Sequence, residues 1–221
     1  MKKILLASLL LVFVACGKKE TTTTDHSSHS GHGASGSEII DLMHAPMMAQ
    51  AFQKTDNPDV DYLYNMIPHH QGAIDSSKKL LETTTNEQLI SLANAIIAEQ
   101  EKEIAEFTAL IPELMVKATS YAEIDTKAFS DKAEMLMHQM MAEMTKITIS
   151  ANDDINFIQG MIPHHQGAID ASKQILEVTK DDKIKEIANR IISAQEKEIA
   201  TMHMLLASLQ GNENSNPHAG H

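Results

Sequence analysis

The chain has 221 residues, 43% of them hydrophobic, enough for one domain with a real core or for two small ones. Aromatic residues make up only 4% and tryptophan is absent, which argues against a large β-sandwich core or an aromatic ligand box. The formal charge of -12 is spread among mixed acidic and basic residues; this excludes the clustered basic face that nucleic acid needs and suits attraction of cations.

Residues 1–15 read as an export signal. Lys2 and Lys3 make a positive start, and Ile4 to Ala15 is an apolar run too short to span a bilayer comfortably. Cys16, the only cysteine, follows the small residue Ala15. The arrangement resembles the lipobox of bacterial lipoproteins, in which the cysteine is lipidated and becomes the mature N-terminus; Phe13 stands where leucine is usual. Plain secretion is the alternative. Either route leaves a mature body with no free thiol, no intrachain disulfide and no thiolate ligand.

Residues 16–37 form a low-complexity tether carrying His26, His29 and His32. Such a composition buries no core. Residues 211–221 are a second polar tail, with His218 and His221. Histidine tracts of this kind either bind borderline metals or are simply solvated.

Between the tails the chain repeats itself. Asp59–Leu110 aligns without a gap on Asp154–Leu205 at an offset of 95. Roughly half the aligned positions are identical, a strong repeat signal. Met-Ile-Pro-His-His-Gln-Gly-Ala-Ile-Asp occurs at Met66–Asp75 and again at Met161–Asp170. Gln-Glu-Lys-Glu-Ile-Ala occurs at Gln100–Ala105 and at Gln195–Ala200. Upstream, Leu42-Met43-His44 matches Leu136-Met137-His138 at an offset of 94. The units are therefore 38–115 and 116–210, and each has three segments.

The periodicity is helical. Ala93, Ile97, Gln100, Ile104 and Phe107 step by four and three, as do Ala188, Ile192, Gln195, Ile199 and Met202. Pro68 and Pro163 each start a new helix or kink a continuous one. Gly72 and Gly167 allow close helix approach. Polar turns at Glu82–Glu87 and Glu177–Asp182 join the second and third segments into antiparallel hairpins. Two such hairpins make an all-α four-helix bundle, with an additional Met/His helix per repeat packed alongside or extending it. The hairpins either share one chain's bundle or swap between chains as a homodimer.

Met66, His69 and His70 stand at i, i+3 and i+4 of a helix and share one patch; Met161, His164 and His165 repeat this. Met137, His138, Met141 and Met144 fall on one broad face. Met43, His44, Met47 and Met48 are the counterpart, disturbed by Pro46. Met202-His203-Met204 adds donors to the second unit only, where the first has Phe107, Thr108 and Ala109. Neutral thioether and imidazole, without thiolates or converging carboxylates, favour Cu(I) over Mg, Ca, Mn or Zn. Methionine at helical spacing is commonly core filler, but two adjacent histidines are poor core material because each ring needs partners for two nitrogens. Gln100 and Gln195, interrupting the apolar stripe, either orient a histidine ring from the second shell or set helix register. Glu103 and Glu198 read as solvated or ion-paired.

Met-Ile-Pro-His-His-x-x-Ala-Ile, followed by Ala-Asn-x-Ile-Ile-x-x-Gln-x-x-Glu-Ile, resembles the secreted bacterial family described as domain of unknown function 305. The likeness runs from about Ile39 to Leu209. It implies a ferritin-like helical fold, copper binding and copper tolerance outside the cytoplasm. It also implies ligands at Met137, His138, Met141, Met161, His164, His165 and Met202, and at Met66, His69 and His70 in the first unit. Phe107 stands where the family has methionine.

The resulting expectation is an exported, lipid-anchored copper-binding protein that sequesters Cu(I) or hands it to an exporter or chaperone, without turnover. A structural bundle of the cell envelope is the alternative. A ferritin-like di-metal oxidase is the weaker one, because no Glu-x-x-His pair occurs in the chain.

Overall fold

Polar side chains mark where the helices begin. Asn57, Asn86, Asp125 and Asn152 each accept a hydrogen bond from a backbone N–H in the following turn, and Pro58 fills the first helical position after Asn57. In the computed structural model, which describes residues 35–117, 121 and 123–215, six helices follow. They are α1 (Glu38–Met48), α2 (Pro58–Leu80), α3 (Glu87–Val116), α4 (Thr126–Met144), α5 (Asp153–Leu176) and α6 (Asp182–Ser215). No strand occurs among the described residues. The export signal, Cys16, most of the tether, and His218 and His221 lie outside them.

Two sequence expectations change and one alternative is decided. Pro46 does not break α1, and Pro68 and Pro163 lie inside continuous helices and do not start new ones. Proline removes one N–H and frees one carbonyl, and the surrounding packing holds the helices through that loss. Finally, α6 runs past residue 210, through Gly211, to Ser215.

The second and third segments pair as expected, α2 with α3 and α5 with α6. The hairpins meet through α2 and α5, while α1 packs on α2 and α5, and α4 on α5 and α2. The central α2/α5 pair is thus flanked by α1 and α4 as well as by α3 and α6. The approach to α1 and α2 is fixed by the same device: Asp41 and Asp61 each accept from the backbone N–H six residues earlier, at 2.8 and 2.7 Å, and Asn156 does so for α5 at 2.8 Å.

The core is divided by a polar waist. One apolar cluster joins Ala73 of α2, Ile96 of α3, Met161 of α5 and Met202 of α6 to α1 and the end of α4. The other joins Met66, Phe107, Ala168 and Ile191. On all four helices the change of cluster falls at the conserved polar spacing within this chain: His69-His70, Gln100 with Glu103, His164-His165, and Gln195 with Glu198. The repeat places its chemistry at one level of the bundle.

Gly72 sets how near α1 comes to that level. A Cβ there would lie 2.1 Å from the Met43 carbonyl oxygen, so α1 rests on bare α2 backbone. Gly167 holds the equivalent place on α5, against the Met140 side chain. Gly72→Ala is expected to lower the unfolding free energy by about 3 kcal/mol, by overpacking against rigid backbone. Gly211→Ala, at a helical position with open space around it, should raise stability by up to about 1 kcal/mol. Urea denaturation of the two variants checks both signs.

Candidate metal centre

Because α2 and α5 face each other, the two His-His elements meet. The His69 and His164 rings lie 3.8 Å apart between centroids, tilted by 35°. His70 and His165 flank them at 6.1 and 6.3 Å. All four residues are buried. The histidines of the two repeats therefore form one cluster.

His70 Nε2 donates to Glu103 Oε2 at 2.8 Å, and His165 Nε2 donates to Glu198 Oε2 at 2.8 Å. A carboxylate accepts only, so Nε2 carries the proton in each pair, and in a neutral ring the lone pair is then on Nδ1. Those two Nδ1 atoms have no hydrogen-bond partner, and neither do the four ring nitrogens of His69 and His164. Burial, and then the neighbouring imidazoles, hold His69 and His164 well below the ordinary histidine range. Both rings are neutral near pH 7 and offer lone pairs.

Of the two sequence readings of Glu103, solvated or ion-paired, the second holds: it pairs with Arg190, and it is buried and orients His70. Burial pushes its carboxyl up, but the hydrogen bond and charge of His70, with the Arg190 guanidinium, outweigh this and hold it below the usual value. Gln100 and Gln195 do not orient the rings: their carbonyl oxygens are buried without partners between α3 and α6.

The thioethers are distributed unevenly. Met43, Met47, Met140, Met144, Met161 and Met202 are buried in one core half, with Met137 and Met141 packed against it; the other half contains Met66 alone. A cavity of about 60 Å³ under α4 and α1 is lined by His69 together with Met47, Met66, Met137 and Met140. It takes donors from both repeats. Met140 escaped the sequence reading, which favoured its neighbour Met141; the signal was its i+3 spacing from Met137. Met161 and Met202 are fully buried. His138, His203, Met204 and Met48 are exposed and are not gathered into the buried cluster. Half-buried His44 places Nε2 at 3.1 Å from Met144 Sδ.

Among the described residues no three His, Cys, Asp or Glu side chains converge as a ready-made metal site. The donors gathered here are imidazole nitrogens and, lining the adjacent cavity, methionine sulfurs. The donor set fits a soft ion: neutral, polarisable, and free of the carboxylates that hard cations require.

The chain matches the family described as Domain of unknown function (DUF305) over residues 15–111 and again over 59–206. Among solved structures it is similar to CopM in its Ag-bound form and in its Cu(I)-bound form, each at 27% identity and TM-score 0.52. Those alignments cover 68% of this chain and 95% and 96% of CopM. A DUF305 fragment from Deinococcus radiodurans shares the fold, at 23% identity and TM-score 0.50 over 68% of this chain and 96% of that one. Uncharacterized protein L153 of Acanthamoeba polyphaga mimivirus is 48% identical over 54 residues, 24% of this chain and 36% of that protein's length. With both repeats matched, the chain belongs to the DUF305 family.

Proposed function

We propose that this protein binds copper as Cu(I) and, anchored to the cell envelope through Cys16, sequesters it or passes it to an exporter or chaperone. It performs no turnover. The observation that carries the reading is a set of four buried imidazoles with unpartnered nitrogens beside a methionine-lined cavity. Each unsatisfied buried polar group costs about 1–3 kcal/mol, and a coordinated ion removes that penalty. CopM, similar over most of its length, is known with Cu(I), Cu(II) and Ag bound, and Ag(I) shares the softness of Cu(I). The tether histidines, exposed His138 and His203, and Met204 are suited to first capture before transfer inward. Export rests on the sequence of residues 1–16.

Competition against a chromogenic Cu(I) chelator should give a dissociation constant far below about 1 μM. Weaker binding would remove the copper reading and leave a structural bundle. Met140→Leu preserves volume and should change stability by less than about 1.5 kcal/mol. If Met140 supplies a donor, the same variant should weaken Cu(I) binding by about tenfold or more.

The apo protein should also lose stability in mild acid. His69 and His164 have folded values below the reference 6.5, so the unfolded chain binds more protons once the pH drops beneath it. Their contribution is intact above about pH 6.5 and is lost as pH falls, by about 1.4 kcal/mol per ring per pH unit. Urea midpoints between pH 7.5 and 5.5 measure this. His69→Phe combined with His164→Phe should flatten the slope.

A further inference from the structure

The two histidine–carboxylate pairs are equivalent by repeat, yet only one is tied to a cation. Arg190 Nε donates to Glu103 Oε1 at 3.4 Å, and the same guanidinium pairs with Glu106. At the offset of 95, Arg190 corresponds to Ala95 and Glu106 to Thr201. The first repeat therefore has no arginine to pin Glu198. Among the described residues Glu198 pairs with His165 and with no lysine or arginine. Its side chain is 16% exposed, against 4% for Glu103. Both carboxylates, with Glu99, Gln100 and Gln195, line a cavity of about 10 Å³ between α3 and α6. That volume admits about one water.

We infer that His165 is the ligand that opens when copper enters or leaves, and that Arg190 keeps the His70 half closed. Copper binding itself is taken from the reading above. A ring swings only if its carboxylate can release it. Glu198 is in contact with solvent, so water replaces the lost hydrogen bond there. Glu103 borders the same cavity but has almost no solvent contact and is held through Oε1 by Arg190, so release leaves His70 Nε2 and Glu103 Oε2 buried without a partner. Arg190 acts through Glu103 and is a positioning residue. Its planar fork engages two carboxylates at once.

The test is stopped-flow transfer of Cu(I) from the loaded full chain to a chromogenic chelator. Ala95→Arg with Thr201→Glu builds the mirror image of the Arg190 clamp beside Glu198. Position 95 is exposed and 201 half-buried, so the core is left alone. Release should slow by about fivefold, the effect of a charge pair of about 1 kcal/mol. Arg190→Ala should accelerate release by opening the second half, and Arg190→Lys should restore most of the wild-type rate. Circular dichroism melts of each variant separate these effects from loss of fold. An unchanged rate in the folded Ala95→Arg, Thr201→Glu variant would overturn the inference, as would slowing by Arg190→Ala. A wild-type chain that takes up no Cu(I) would overturn the copper reading and this inference with it.

Discussion

Four imidazoles buried at one level of a helical bundle are the constraint that organises this molecule. A folded domain is stable by only about 5–15 kcal/mol, and unpaired buried nitrogens subtract from that margin. The rest of the fold compensates. Two apolar clusters close the waist from either end, Glu103 and Glu198 each satisfy one ring N–H, and α1 and α4 cover the central helices. What remains unsatisfied is a set of lone pairs in a sulfur-rich, water-poor environment. Such an environment suits a soft monovalent ion and disfavours a hydrated divalent one.

The repeat makes this waist and then departs from symmetry around it. Phe107 stands where the second unit has Met202, and the methionines gather in the core half that contains Met161 and Met202. Arg190 has only Ala95 as its counterpart. The histidines are shared equally between repeats, whereas the sulfur and the charge around them are not. The repeated hairpin supplies the scaffold, and single differences between the units distinguish its two faces.

Much of the fold was legible because helices are local. The apolar stripes concern residues a few positions apart, and the repeat at an offset of 95 displays the same local pattern twice. The metal centre was legible only in its parts. Helical spacing shows that Met66, His69 and His70 share a patch, but not that the patch faces His164 across α5. Whether Met140 or Met141 points inward depends on the rotation of α4, which adjacent methionines leave ambiguous. Charged residues are rarely buried, so Glu103 reads as surface until its partners His70 and Arg190, on two other helices, come into view. Gln100 drew attention as the polar break in the stripe, while the group contacting the ring lies one turn further on.

The central claim is that both repeats build one copper centre. Copper-to-protein stoichiometry, measured for His69→Ala with His70→Ala and separately for His164→Ala with His165→Ala, tests it most directly. A shared centre predicts that either double substitution removes the tightly bound Cu(I) entirely. Retention of half the wild-type copper by each variant would contradict it, and would mean that the repeats bind metal independently.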